Sequence, residues 1–535
     1  MSPRPHGSPR RLVPTGLVGW LTTVDHRRVG ILYLVFASVA GLWGAVDAMV
    51  IRTALLTPQA TLVEAATYDE LFTTHGLTMV FLFATPGFFG LANVVVPPLI
   101  GADEMAFPRA NATAVWLLPP SILLVRAGTV ALALPGVESL APVALGWTLY
   151  PPLSTQSTNP AVDLTLLGLH LSGVGTILAS INVVVTVITE RAPAVTWDRL
   201  DLFTWSMLVA AGLAMFAFPI LGSALLMLLL DRNVGTTYFA VDGGGPMLWQ
   251  HLFWFWGHPE VYVLALPAMG VISHVLPKFA GRELFGRNSV VYSTLAVGTL
   301  SFGVWAHHMF TTGLDPRLKA SFMAVTLAIG VPSAVKTFNW IATLWNGSIR
   351  LTAPMLFCLG AVATFVLGGV TGVFLASIPI DIVLHDTFYV VGHFHLMLVG
   401  LTVFGAFAAV YYWFPLLTGR LYDPFLARLH FWCSVTGVLV TFLPLLLIGL
   451  DGLPRRTATY PATFATAQRV STVGAYLLGA GQLAWLVNVA WSALAGPRVS
   501  GDVWDLGEAR TREWIADTAA SDDGDPIARQ DSDLD

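Results

Sequence analysis

The feature that most restricts this chain is a series of apolar runs, each long enough to cross a lipid bilayer. About 20 mostly apolar residues span the hydrocarbon as a helix. Twelve such stretches are readable, at 30–51, 74–100, 112–134, 164–189, 201–230, 247–277, 289–313, 319–346, 351–376, 386–414, 427–450 and 468–495. Only 11% of the 535 residues are charged and 55% are hydrophobic, whereas a soluble domain carries roughly 25% charged residues. The expected fold is therefore an all-α membrane protein, a bundle of twelve transmembrane helices. A water-soluble enzyme is excluded and no nucleic-acid partner is expected.

Pro219, Pro259, Pro332 and Pro444 fall inside these spans. Membrane helices tolerate such residues when neighbouring helices satisfy the freed backbone groups, which favours one tightly packed bundle. No linker or charge block separates two domains. The chain divides into a basic N-terminal tail (1–26), a membrane domain (27–496) and a C-terminal tail (497–535) whose last stretch, Ser521 to Asp535, is acidic. Arg4, Arg10, Arg11, Arg27 and Arg28 place the N-terminus in the cytoplasm by the positive-inside rule, and an even number of crossings returns the C-terminus to the same side. The longest loops, Pro135 to Asp163 and Asp231 to Pro246, then lie on the opposite side, as a lid, a docking surface or ordinary connections. Cys358 and Cys433 are the only cysteines and form no metal-binding pair. The Arg- and Ala-rich chain reads as a prokaryotic plasma-membrane protein.

Ionisable residues are costly in hydrocarbon, and those that persist usually face the protein interior and work there. A single buried histidine is more often structural than a ligand, but here there are six. In Trp256-Gly-His-Pro-Glu-Val-Tyr262, His258 and Tyr262 are four residues apart, hence on one helix face. Glu260 lies about 200° round from His258 and faces another neighbour. Trp305-Ala-His307-His308 supplies two more imidazoles, and three neutral imidazoles without carboxylate or thiolate suit copper or zinc. In Val391-Gly-His393-Phe-His395 the two histidines fall on roughly opposite helix faces, so they are expected to serve two centres. A proximal histidine is a common axial ligand of heme iron, and His75, in Thr73-Thr-His-Gly-Leu77, is a natural partner for one of them. The arithmetic gives a six-coordinate heme, a five-coordinate heme and a three-histidine copper.

The strings GHPEVY, WAHHMFTTG, HDTFYVVGHFH, LLDRNVGTT, LYPPLS and LPRR, in this order and spacing, closely resemble subunit I of the A-type heme-copper oxidases, from about Trp20 to about Trp514. The resemblance implies the twelve-helix bundle of that family and a terminal respiratory oxidase that reduces O2 to water and pumps protons. It implies that His75 and His395 ligate a low-spin heme, His393 a high-spin heme, and His258, His307 and His308 the copper. Tyr262 would be joined covalently to His258 and supply an electron and a proton. Arg52 would contact a heme peripheral group, Arg455 and Arg456 the heme propionates, and His385 with Asp386 a magnesium at the interface with subunit II.

Two proton routes are implied as well. One begins at Glu104, passes Asn93, Asn111 and Thr176, and ends at Glu260. Here Glu104 stands where Asp is usual, beside Asp103 in place of Pro, and Gly175 replaces a frequent Ser, which is read as a gap that water can fill. The other comprises Ser273, Ser333 and Lys336 leading to Tyr262, with Ser333 in place of Thr. Arg126, in the third span, has no implied role and is expected to pair locally.

The implied partners are subunit II, carrying a dinuclear copper, subunit III, the lipid bilayer, and a cytochrome c or blue-copper electron donor. A quinol oxidase is the rival within the family. Asp47 matches a quinol-site residue, but Trp43 and Thr67 stand where Arg and His are expected. A nitric oxide reductase would lack Tyr262, Glu260 and Lys336. A twelve-helix proton-coupled transporter is the rival from another class.

Overall fold

A computed structural model describes residues 16–136, 140–241, 243–499, 501–509 and 511–514. Arg4, Arg10, Arg11 and the acidic stretch from Ser521 lie outside the described residues. Among those described, ten helices are long and apolar enough to cross a membrane. They are α1 (His26–Ala54), α2 (Ala65–Ile100), α4 (Ala161–Thr189), α5 (Leu202–Asn233), α6 (Gly245–Ala280), α8 (Pro316–Leu344), α9 (Ala353–Ala376), α10 (Phe388–Thr418), α11 (Pro424–Leu450) and α12, Ala465–Ala495.

The two remaining spans are broken. The third, α3, consists of Pro108–Trp116, Leu118–Val125 and Ala127–Ala131. Pro119 and Pro120 at the start of its middle piece cannot donate back along the helix. The seventh, α7, runs over Arg287–Ser301 and gives way to a 3-10 turn at Trp305–Met309. The twelve-helix bundle therefore contains ten continuous members and two interrupted ones.

Local chemistry starts these helices where they start. The carboxylates of Asp25, Asp201, Asp315 and Asp423 and the hydroxyl of Thr387 accept from backbone N–H groups in the first turns of α1, α5, α8, α11 and α10. Each satisfies a donor that the helix cannot. Two members carry π-helical stretches, Thr78–Ala84 within α2 and Leu396–Val403 within α10. Each begins just beyond a predicted ligand, His75 in the first and His395 in the second.

The burial of the helices is uneven. Within their most apolar windows, α6 is 89% buried and α8 only 11%. Thus the helix carrying His258, Glu260 and Tyr262 runs through the middle of the bundle, while α8 lies at its rim with Phe338 and Val331 facing outward. Even on that outer helix, Lys336 is fully buried.

At the end of the bundle where α2 and α12 finish, the Ala192 amide donates to Ile100 and Arg420 to Gly496. The segment after α12 continues to pack there: Trp504 Nε1 donates to the Tyr412 carbonyl and Trp514 Nε1 to the Tyr412 hydroxyl. The expected tail boundary at 497 thus does not mark where packing stops. Glu513 is fully buried, accepting from His274 Nε2 at 3.1 Å and from the Thr511 hydroxyl at 2.6 Å. At the other end, Trp147 of the long loop packs edge-on against Phe253 and Trp254 of α6. Trp249 of the same helix donates to the Thr148 carbonyl. Trp147 and Thr148 thus seat this part of the loop on the first turns of α6.

Candidate metal centres

His75 and His395 face one another across the gap between α2 and α10, with ring centroids 6.4 Å apart and planes 19° from parallel. A metal bound at about 2 Å to one nitrogen of each ring would set the centroids roughly 6.3 Å apart. The pair therefore fits a six-coordinate iron with two axial imidazoles. Each ring is held by its other nitrogen: His75 Nδ1 lies 2.8 Å from the Gly44 carbonyl and His395 Nδ1 2.9 Å from that of Val391. Such contacts fix ring orientation and tautomer, leaving Nε2 for the metal. Phe442 of α11 stacks on His395 at 4.5 Å.

His393, two residues earlier, meets a different neighbour. Its Nδ1 lies 3.0 Å from both the Gly368 carbonyl and the Thr371 hydroxyl of α9. A Cβ at Gly372 would come within 2.8 Å of His393 Cε1, so this approach of ring to helix requires glycine. Nε2 is again the nitrogen left for a metal.

His258, His307 and His308 form the only cluster of three or more potential metal ligands found among the described residues, with ligand atoms all within 4.8 Å of one another. About 2 Å to each nitrogen would require them roughly 3.5 Å apart, a spacing that small ring rotations reach. Both ring nitrogens of His258, and Nε2 of His308, are buried without a hydrogen-bond partner among the described residues. Buried polar atoms are rarely left so, and a metal is the partner that three converging imidazoles fit. His307 Nδ1 is held by the Thr326 hydroxyl at 3.1 Å, and His308 stacks on Trp254 at 3.7 Å. The consecutive histidines sit on a 3-10 turn rather than on the α-helix assumed from sequence, with ring centroids 4.3 Å apart. The Tyr262 ring lies 4.7 Å from that of His258.

Glu260 points elsewhere: its Oε1 accepts from the Thr85 hydroxyl of α2 at 2.6 Å, and Oε2 has no partner among the described residues. Further along α2, Asn111 donates to Asn93, and the Asn93 carbonyl is 2.7 Å from His26 Nδ1. The backbone amide of His26 in turn donates to Glu104. Glu104 is thus joined through His26 to the asparagine pair. Burial pushes its carboxyl up to about 7, against the opposing pull of the Met105 and His26 amides. On α4, the Thr176 hydroxyl donates to the Ser172 carbonyl of its own helix, and the Ser172 hydroxyl to the Phe81 carbonyl of α2, one turn from Thr85. Gly175 does not open a gap: a Cβ there would already lie 3.0 Å from the Ala114 carbonyl, because α3 packs closely against it.

On the second route, Ser273 accepts from Trp340 Nε1 at 2.9 Å. Lys336 donates to Thr294 at 2.5 Å, and Ser333 bonds back to Ile329 of its own helix. Lys336 does not reach a lipid interface.

Arg52 is buried and donates to the Gln468 carbonyl and side chain and to Thr472 of α12, with Nε unpartnered among the described residues. Arg455 binds Oδ1 of Asp386 through two nitrogens at 2.6 and 2.9 Å, whereas His385 turns to Asp381 at 2.9 Å. Partial desolvation would raise the Asp386 carboxyl, but Arg455, with His385 and Arg456, outweighs it and holds the carboxyl low. Arg456 is pulled down to about 10 by burial and by Arg455. Arg126 is paired locally, with Asp47.

Sequence reasoning missed the partners Thr85, Thr326, Thr371, Thr294 and Trp254. Hydroxyls in apolar helices were the available signal, but they also cap their own helix turns. Only their meeting across helices separates the two uses.

Residues 28–477 match the family described as cytochrome C and quinol oxidase polypeptide I. The chain is 57% identical over 504 residues to cytochrome c oxidase polypeptide 1 of Halobacterium salinarum, covering 94% of this chain and 84% of that one. It is 43% identical over 498 residues to cytochrome c oxidase subunit 1 of Bacillus subtilis, covering 92% and 78%. A heme-copper terminal oxidase dimer solved by cryo-electron microscopy shares the fold, with a TM-score of 0.76 at 21% identity over 90% of this chain and 86% of that one.

Proposed function

The chain belongs to the cytochrome c and quinol oxidase polypeptide I family, the catalytic subunits of heme-copper terminal oxidases, and on that premise we propose how its own residues divide the work of reducing O2 to water. The observation that carries the proposal is the paired geometry of α10: His395 faces His75 at a two-ligand spacing, while His393 is held by α9. We assign the first pair to a low-spin heme and His393 to a high-spin heme, with His258, His307 and His308 holding copper. When bound, the iron and copper bind O2 and deliver electrons to it.

The protein's part is to place imidazoles, exclude water and bring protons. Tyr262, beside His258, is positioned to give up a proton and an electron at that centre. Glu104, His26, Asn93, Asn111, Ser172 and Thr176 line an approach to Glu260. Ser273, Ser333 and Lys336 line an approach toward Tyr262. Unpartnered atoms on Asn111, Ser180, Asn182 and Glu260 offer further hydrogen-bonding positions along the first route.

Arg52, Arg455 and Arg456 supply positive charge for heme peripheral groups, where charge-assisted bonds are strongest. Both Arg455 bonds reach Asp386 Oδ1, leaving Oδ2 of this exposed carboxylate for magnesium, with His385 and a companion subunit II. Electrons are proposed to arrive from a cytochrome c or blue-copper protein through a dinuclear copper on that subunit. Asp47 supports this over quinol: it is 4% exposed, and its oxygens are taken by Arg126 and Thr74. A third subunit, a prokaryotic plasma membrane and cytoplasmic termini complete the proposed setting.

The test is purification followed by reduced-minus-oxidised and carbon monoxide difference spectra, metal analysis and oxygen uptake. Two hemes, one of which binds carbon monoxide, and one copper in this chain are expected. A colourless, metal-free protein would overturn the assignment.

A further inference from the structure

Arg126 and Asp47 form an ion pair whose side chains are 0% and 5% exposed. Burying two charges is expensive, and such a pair persists only with good geometry and further bonds. The further bonds all lead to His75. Asp47 Oδ2 accepts from the Thr74 hydroxyl at 3.1 Å, and Arg126 Nε donates to the Thr78 hydroxyl at 3.0 Å. Thr74 and Thr78 bracket His75 on α2. Asp47 is three residues beyond Gly44, whose carbonyl holds His75 Nδ1. Gly44 permits that contact, since a Cβ there would lie 2.6 Å from Met79 Sδ. The guanidinium also sits 4.4 Å from the Trp43 ring centre.

Resting on the assignment of His75 and His395 to a low-spin heme, we propose that the Asp47–Arg126 pair positions His75 and sets the electrostatic balance at that iron site. The pair ties α1, α2 and α3 together at the ligand and leaves no net charge beside it. Breaking it in opposite ways exposes opposite charges. In Asp47→Asn the guanidinium is uncompensated and favours the reduced heme. In Arg126→Gln the carboxylate is uncompensated and favours the oxidised heme. A unit charge about 10 Å away at an effective dielectric of about 20 changes such an equilibrium by roughly tenfold, which for one electron is about 59 mV.

The experiment is redox titration of the low-spin band in the assembled oxidase, with the carbon monoxide-binding heme as the internal reference. The midpoint is expected to rise in Asp47→Asn, fall in Arg126→Gln, stay near the original in Arg126→Lys, and return toward it in the Asp47→Asn/Arg126→Gln double variant. Unchanged midpoints, shifts in one direction for both single variants, or equal shifts at both hemes would overturn the proposal. So would loss of both hemes in the Asp47→Asn and Arg126→Lys variants, which would make the pair a general folding element. If the unaltered protein lacks a low-spin band, the parent assignment fails instead.

Discussion

Substituting alanine for Gly372 tests whether α9 is shaped around His393. The new Cβ would stand 2.8 Å from Cε1 of the imidazole, and ordinary contact begins at 3.4 Å. The ring must therefore retreat by roughly 0.6 Å. Its Nδ1 is held at 3.0 Å by the Gly368 carbonyl and by the Thr371 hydroxyl, and a retreat of that size stretches both contacts toward 3.6 Å, where a hydrogen bond no longer exists. The single Nδ1–H is shared between these two acceptors, so its loss costs about 1 kcal/mol, or roughly 5-fold weaker retention of the heme bound through His393. The assay compares the carbon monoxide difference spectrum, which reads that heme, with the low-spin band, which reads the His75–His395 pair. The first should fall and the second should stay. Equal loss of both bands, or an undiminished carbon monoxide signal with unchanged heme affinity, would refute the claim that Gly372 and the two Nδ1 contacts hold the ring.

Replacing His393 with alanine should abolish the carbon monoxide-binding site and spare the low-spin spectrum, while replacing His395 should do the reverse; loss of the same heme in both variants would contradict the two-centre reading. Glu104 should titrate near pH 7 when followed by carboxyl-band infrared difference spectroscopy, and the band should vanish in Glu104→Gln. Because its carboxyl is raised in the fold, its contribution to stability is full below the ordinary carboxylate range and is lost as pH rises toward about 7; thermal unfolding of the two proteins should therefore coincide at the acid end of that window, where Gln mimics the protonated carboxyl, and the unaltered protein should fall below Glu104→Gln at the alkaline end. Burial alone would raise Glu513, but its bond to His274 and the charges of His274 and Lys278 hold it near 2. Glu513→Gln should cost about 3–5 kcal/mol of docking for the 504–514 segment, read as faster proteolysis after α12; an unchanged cleavage rate would mean that the segment is held by its tryptophans.

The sequence made the helices legible because hydrocarbon admits so few alternatives, and it made the ligands legible because six imidazoles in apolar helices have few bland explanations. Helical spacing separated His393 from His395 and Glu260 from His258, since a residue's direction round a regular helix depends only on its number. That reasoning stops where regularity stops. The break after Ser301, which puts His307 and His308 on a separate turn facing His258, depends on how α7 ends against α6 and α8. Asp386 was paired in sequence with its neighbour His385, but Arg455, 69 positions away, holds it. Arg126 is expected from sequence to pair locally, yet its partner Asp47 is legible there only as a match to a quinol-site residue. Gly175 was read as space because glycine lacks a side chain, and the approach of Ala114 could not be seen.

The π-helical turns just beyond His75 and His395 give each of these two helices two independent phases. A regular helix locks every residue to one clock: choosing the direction of His75 would also choose the directions of Thr85 and Asn93 further along. The wide turn inserts a slip, so the upper part of α2 can aim at one cofactor while the lower part aims at Glu260 and Asn111. The same holds for α10, with its histidines on one side of the slip and Tyr411, Tyr412 and Trp413 on the other. Removing one residue from either wide turn would leave the chain helical and apolar, and mis-time half of its side chains by about 100°. Single-residue deletions here are thus a more severe alteration than many substitutions of the ligands' neighbours, although they disturb neither hydropathy nor charge.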